Sequence, residues 1–169
     1  MLLFAVMKEA FMSGNWLLCL VVMMVGCSGS RPSQIGVTGD RLAPCPDSPN
    51  CVSSQSEDKK QAIEPLRYEG AAEAAMQELI DVIRGMKRAR ITTARERYLH
   101  AEFTSLLFRF VDDVEFLLDD NSKTIHVRSA SRVGYSDLGV NRKRVEAIRS
   151  RFDALRKEKR VIPGSDRSR

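Results

Sequence analysis

Apolar residues recur at helical spacing in two stretches of the chain. In residues 71–88 they are separated by four and three positions in turn, which predicts an amphipathic helix. That stripe consists of Ala72, Met76, Leu79, Ile83 and Met86. Residues 141–159 predict a second helix, with Asn141 expected as its N-cap and Val145, Ile148, Phe152 and Leu155 as its apolar stripe.

Alternating apolar and polar residues predict strands between these helices. "AIEPLRYEG", residues 62–70 with Ala62 as its first residue, predicts a short first strand that ends at Gly70. "RITTARERYLHAEFTSLLFRF" predicts two strands joined near Arg95 and Glu96. "VEFLLDDNSKTIHVRS" predicts a hairpin with a two-residue turn at Asn121 and Ser122.

The turn position fixes which residues of the hairpin face each other. It places Phe116 opposite Val127 and Leu118 opposite Ile125 on the inward face. On the outward face it places Glu115 opposite Arg128 and Leu117 opposite His126. Apolar pairs on one side and an opposite-charge pair on the other favour this register over any one-residue slip.

The order of elements predicts an α+β fold. We expect an antiparallel sheet of about five strands with two helices packed on one face. Residues 45–160 have the length of a single domain, and residues 161–169 are expected to form a flexible tail.

The N-terminal segment predicts an export signal. Residues 16–25 are uninterruptedly apolar, but a membrane-spanning helix needs about 20 residues, so the run fits a secretory signal better. Its end, Met24-Val25-Gly26-Cys27, resembles the lipobox of bacterial lipoproteins. That resemblance implies removal of residues 1–26 and acylation of Cys27. The alternatives are an ordinary cleaved signal and a buried helix of a cytosolic protein, and Met7 is an alternative start.

Residues 27–44 predict a flexible linker because they are rich in Gly, Ser and Pro and lack apolar periodicity. Ser28 follows the cysteine, and by the same resemblance this favours the outer membrane, facing the periplasm. We therefore expect a bacterial cell-envelope protein anchored to the membrane through lipidated Cys27.

Two cysteines remain for the folded domain, Cys45 and Cys51. In an oxidising compartment they are expected to form a disulfide. A structural zinc site needs four ligands, and a catalytic redox pair more often has two residues between its cysteines. Both alternatives are therefore weaker.

Three segments together resemble an uncharacterised family known as domain of unknown function 1499. They are "CPDSPNCVSS", "YLHAEFTSLLFRFVDDVEF" and "RSASRVGYSDLGVNRKRVEAIR", and the resemblance spans residues 42 to about 153. It implies a single domain and an exported bacterial or chloroplast protein. It implies no reaction, ligand or catalytic residue.

His100 and Glu102 share one face of a predicted strand, and Asp113 follows in or beside the hairpin. His100 with Glu102 or Asp113 has the composition of a general acid–base pair, which makes a periplasmic hydrolase the alternative function. The simpler interpretation is the solvated face of an antiparallel sheet. A metal site from His100, Glu102 and His126 is less favoured, and we expect no metal and no cofactor.

A second candidate site lies between the hairpin and the last helix. Arg132, Arg142 and Arg144 flank a glycine-containing loop that leads into a predicted helix N-terminus, an arrangement that favours an anion. The residues expected to bind it are Arg132, Tyr135, Asn141 and Arg142. The alternative is that Asp137 forms an internal salt bridge with Arg132 or Arg142.

The formal net charge of +5 does not indicate nucleic-acid binding, because the basic last helix lacks interleaved aromatic residues. We expect a non-catalytic envelope module that binds a small anionic ligand, a lipid or a partner protein.

Overall fold

The computed structural model describes residues 35–161. A six-stranded antiparallel sheet forms the centre of the domain, with strand order β3-β8-β7-β6-β5 and with β4 also paired to β8. Its strands are β3 Cys51–Ser53, β4 Leu66–Arg67, β5 Ala89–Ala94, β6 Tyr98–Thr104, β7 Val111–Asp119 and β8 Thr124–Ser131. A separate two-stranded hairpin precedes it, β1 Val37–Thr38 and β2 Arg41–Leu42.

Two helices pack on one face of this sheet. Helix α1 spans Ala72–Arg84 and helix α2 spans Val140–Val161. Their apolar stripes pack against the inward side chains of β6, β7 and β8, so the core lies between the helices and the sheet. Its fully buried members include Leu79, Ile83, Leu99, Phe116, Ile125, Ile148 and Phe152.

The predicted α+β class is confirmed, while the strand count differs slightly. The additional strand is β3, which follows the cysteine loop and pairs with β8 along the edge of the sheet. It was missed because three residues are too short to show an alternation. The predicted strand through Phe110 is also shorter, because β6 ends at Thr104 and residues 105–110 form a loop.

The predicted register of the β7–β8 hairpin is confirmed. Phe116 pairs with Val127, and Glu115 pairs with Arg128. The outward face is not solvated, however. Glu115 is 0% exposed and Arg128 is 3% exposed.

Part of the predicted linker contributes to this burial. Residues 35–44 contain the β1–β2 hairpin, and Leu42 is buried. The backbone N–H of Gly36 donates to Glu115 Oε1 at 2.6 Å, and the Leu42 N–H donates to Gln55 Oε1 at 2.8 Å. The signal segment, Cys27 and most of the predicted C-terminal tail lie outside the described residues.

A disulfide joins Cys45 to Cys51, as predicted, with 5.7 Å between their Cα atoms. Its short loop leads directly into β3. Neither helix within residues 35–161 combines the length and hydrophobicity that crossing a bilayer requires.

Candidate functional site

The three candidate catalytic residues meet on the sheet face opposite the helices. His100 Nε2 lies 2.8 Å from Asp113 Oδ1, and both side chains are almost completely buried. Arg132 binds Asp113 in a bidentate manner, through Nε at 2.8 Å and Nη2 at 2.7 Å. The same Nη2 donates to Glu102 Oε1 at 2.6 Å. The structure therefore joins His100, Glu102 and Asp113 through a cation that was predicted to bind ligand instead.

The other ring nitrogen of His100 contacts a residue that the sequence did not single out. Thr92 Oγ1 lies 2.6 Å from His100 Nδ1. Pairing between β5 and β6 is irregular between Ile91 and Thr93, so Thr92 sits at a bulge that aims its hydroxyl toward His100. A bulge breaks the two-residue period, and for this reason alternation could not predict the contact.

The electrostatics of this cluster favour an ionised Asp113. Burial would raise the pKa of Asp113, but the hydrogen bonds from Arg132 and His100 and the charge of Arg132 outweigh it and hold that pKa below its ordinary value. In return, the hydrogen bond from Arg132 to Asp113 raises the pKa of the guanidinium. Arg90 Nη2 adds a further ion pair with Glu102 Oε2 at 2.5 Å. The charges of the cluster are thus compensated internally.

A neighbouring ion pair extends the polar layer along the sheet. Arg128 Nη1 donates to Glu115 Oε2 at 3.0 Å, and Tyr98 Oη donates to Glu115 Oε1 at 2.7 Å. Burial, followed by this hydrogen bond to Glu115, raises the pKa of Tyr98 well above its ordinary value. Tyr98 therefore acts as a hydrogen-bond donor at neutral pH.

The four predicted ligand-binding residues fall into separate environments. Arg132 belongs to the buried cluster, whereas Tyr135 and Arg142 line an open groove of about 470 Å³ beside the disulfide.

We call this the disulfide groove; Asp47, Asp58 and Lys60 also line it. Arg142 Nη2 donates to the carbonyls of Lys60 at 3.0 Å and Ala62 at 2.8 Å, so part of its hydrogen-bonding capacity is used in fixing the groove wall.

Asn141 is a structural connector between β3, β8 and α2. Its Nδ2 donates to the Asn50 carbonyl and to Ser131 Oγ, both at 2.9 Å, and its Oδ1 accepts from Ser129 Oγ at 2.5 Å. Asn141 does not cap the helix, because α2 begins one residue earlier, at Val140.

The helix start is capped by Asp137. Its Oδ1 accepts the Gly139 N–H at 2.9 Å and its Oδ2 accepts the Asn141 N–H at 2.7 Å. A carboxylate of the chain itself therefore occupies the position where the sequence predicted an external anion. Asp137 forms this cap and no ion pair with Arg132 or Arg142 among the described residues.

Within residues 35–161, no group of three or more His, Cys, Asp or Glu side chains is arranged to hold a metal ion. His126, which the sequence offered as a third ligand, instead lies with Nδ1 3.3 Å from Ser54 Oγ. Burial lowers the pKa of His126, although the charge of Asp119 partly opposes this effect. Its ring is therefore neutral at pH 7.

The structure defines a small α+β domain with an ion-paired layer on one sheet face, a disulfide-bounded groove and two helices on the other face. A family model described as "Protein of unknown function (DUF1499)" matches residues 41–152, and the chain belongs to that family. Comparison with curated proteins gives no match.

Proposed function

We propose that this protein is a membrane-tethered lipoprotein of the cell envelope whose domain is a non-catalytic binding module. The tether is the predicted acylation of Cys27. The disulfide between Cys45 and Cys51 supports export, because such bonds persist in oxidising compartments. The binding site is the disulfide groove.

The observation that carries the proposal is that the disulfide groove is held in place by hydrogen bonds between its walls. Gln61 Nε2 donates to the Pro46 carbonyl at 2.7 Å, and Asn50 Nδ2 donates to the Gly134 carbonyl at 2.6 Å. Together with the two bonds from Arg142, these contacts connect three separate loops. A groove of this volume with fixed walls has the size and preorganisation of a small-molecule site.

The charges of the groove indicate the ligand. Lys60 and Arg142 offer positive charge to an anionic group, and the ring of Tyr135 is 75% exposed at the rim. Asp47, Asp58 and the α2 cap Asp137 also line the groove, and these carboxylates favour a ligand that also carries a cationic group. We therefore propose a small ligand with an anionic group beside Lys60, most simply a zwitterion such as a short peptide or a lipid headgroup.

Binding can be tested on the full-length protein by NMR titration with glycylglycine, phosphoethanolamine and inorganic phosphate. We expect shifts in the amides of residues 45–61 and 134–142, and weaker binding in Lys60→Gln and Tyr135→Ala. Lys157→Gln is the control, because Lys157 is exposed on α2 and lies outside the groove. Equal affinity in Lys60→Gln and Lys157→Gln would refute the assignment of the groove.

The tether has its own test. We expect the N-terminal peptide of the mature protein from bacterial membranes to begin at Cys27 and to carry acyl chains by mass spectrometry. The Cys27→Ser variant should leave the membrane fraction. An intact segment 1–26 with unmodified Cys27 would contradict the proposal.

The alternative function is hydrolysis, and one observation favours it. A hydroxyl, an imidazole and a carboxylate are in contact in the order found in nucleophilic catalysis. Thr92 Oγ1 lies 2.6 Å from His100 Nδ1, and His100 Nε2 lies 2.8 Å from Asp113 Oδ1. Against it, His100 is 2% exposed, so a substrate must displace covering residues to reach the ring. Turnover of ester substrates that disappears in both Thr92→Val and His100→Gln would favour this function.

A further inference from the structure

Exposed apolar side chains are concentrated at one end of the sheet. The described residues include eight large hydrophobic side chains that are exposed, and all except Val37 lie in loop 105–110 or in residues 132–140, which comprise the loop before α2 and the first residue of that helix. We call these two loops the apolar end. Its exposed members are Leu106, Leu107, Phe108, Phe110, Tyr135, Leu138 and Val140.

Strand pairing brings the two loops to the same end of the sheet. Loop 105–110 joins β6 to β7, and Thr104 pairs with Val111 at its base. Loop 132–140 leaves β8 next to that position, because Ser131 pairs with Asp112 and the Arg132 N–H donates to the Val111 carbonyl at 3.2 Å. Both loops therefore project in the same direction.

The apolar side chains of these loops do not pack into the hydrophobic core. Leu107 is 79% exposed and Leu138 is 87% exposed, so neither side chain contributes much to folding. Leu138 also has a φ of 53°, and Arg109 has the same value, in the left-handed region that side chains other than glycine rarely adopt. Exposed apolar side chains in two adjacent loops, one of them on an unfavourable backbone conformation at Leu138, indicate a contact outside the domain.

Exposed basic residues lie in the apolar loops or close to them along the chain. Lys87, Arg88, Arg109 and Lys143 are exposed, and none of them forms an ion pair with another described residue. Arg88 Nε donates to the Thr104 carbonyl at 3.1 Å, which places this cation at the base of loop 105–110. The carboxylate of loop 132–140, Asp137, is already used in capping α2.

We infer that the apolar end inserts into the interface of a lipid bilayer that contains anionic lipids. Leucine and phenylalanine side chains on exposed loops fit the boundary between headgroups and acyl chains, and the neighbouring cations complement the negative surface potential. This contact goes beyond the proposed function, because it requires neither acylation of Cys27 nor a ligand in the disulfide groove.

The test is a fluorescent label on the loop of the full-length protein. An environment-sensitive dye is attached to Leu107→Cys in a Cys19→Ser, Cys27→Ser background, where Cys45 and Cys51 are protected as a disulfide. The matched control carries the dye at Ser122→Cys, in the turn at the opposite end of β7 and β8. The probes are vesicles of phosphatidylcholine alone and vesicles with added phosphatidylglycerol.

We expect the label at position 107 to shift its emission to the blue and to resist quenching by aqueous iodide when phosphatidylglycerol is present. The label at 122 should stay accessible. Arg109→Gln should lower the affinity for vesicles with phosphatidylglycerol, measured by the emission shift, about fivefold, because this is the effect of one basic residue near an anionic surface. Lys157→Gln should leave that affinity unchanged.

Equal accessibility of the two labels in both kinds of vesicle would overturn the inference. Shielding of the label at 107 without vesicles, rising with protein concentration, would also overturn it and assign the surface to a second copy of the chain. Because Cys27 is replaced in every sample, either outcome leaves the proposed tether and the groove unaffected.

Discussion

Asp113→Asn removes the negative charge of a fully buried ion pair, so we expect a large loss of stability. The carboxylate is 0% exposed and accepts two hydrogen bonds from Arg132 and one contact from His100. The introduced amide keeps the shape of the carboxylate. Its NH₂ group, however, must face the hydrogen-bond donors that surround Asp113, and the Arg132 guanidinium loses a charge partner. Removing one member of a buried ion pair costs about 3–5 kcal/mol. Since domains of this size are stable by about 5–15 kcal/mol, the variant should lose a large part of its stability.

This loss should depend on pH in a defined direction. Burial alone would raise the pKa of Asp113, but Arg132 and His100 hold it below the ordinary value of 3.8. A lowered pKa in the folded state means that the charged carboxylate stabilises folding fully above about pH 4. The contribution disappears as the pH falls through the lowered value. The stability difference between the native protein and Asp113→Asn should therefore be constant near neutrality and shrink below pH 4.

The assay is urea unfolding followed by circular dichroism between pH 7 and pH 3. Asp153→Asn is the matched control, because Asp153 is exposed on α2 and should change stability by no more than about 0.5 kcal/mol. In a double-mutant cycle, Arg132→Met should lower the free energy of unfolding less in the Asp113→Asn variant than in the native protein. The reasoning is refuted if Asp113→Asn costs less than about 1 kcal/mol at pH 7, the range of an exposed ion pair.

Three further predictions concern parts of the fold outside this cluster. Replacing Cys45 and Cys51 by serine should lower the free energy of unfolding by about 2 kcal/mol, measured by urea titration, because the bond closes a loop with a sequence separation of 6. Phe152→Ala should cost about 3–5 kcal/mol in the same assay, since its ring is fully buried between α2 and the sheet. Asp137→Ala should cost about 1 kcal/mol through loss of the α2 cap, seen as a lower thermal midpoint, and an unchanged midpoint would contradict the cap.

The sequence was sufficient for the elements whose pattern is local. The β7–β8 register followed from one turn and from apolar pairs such as Phe116 with Val127, because a slip by one residue would have exposed them. Helix α1 followed from a continuous stripe that the structure buries. The Cys45–Cys51 bond followed from the expected oxidising compartment and from the number of cysteines that remain for the folded domain.

Features that depend on distant segments could not be predicted in this way. Glu115 alternates correctly with the core residues, so a solvated outward face was the natural interpretation. Its burial depends in part on residues 35–44, whose Gly-rich sequence contains no apolar periodicity. The prediction of a strand through Phe110 was wrong for the opposite reason. Leu106 and Phe108 are exposed in a loop, and their sequence pattern does not differ from that of apolar residues in a strand.

The buried ion pairs also connect the two surfaces proposed here. Arg132 is the first residue after β8 and the first of loop 132–140, and its side chain is held by Asp113 on β7 and Glu102 on β6. Buried charges of this kind stabilise a fold weakly but favour one arrangement over others, because a misplaced loop would leave Asp113 unpaired. Loop 132–140 carries Tyr135 at the rim of the disulfide groove and Leu138 in the apolar end. The ion pairs of Arg132 therefore fix the start of loop 132–140, which contributes a side chain to each of the two proposed binding surfaces.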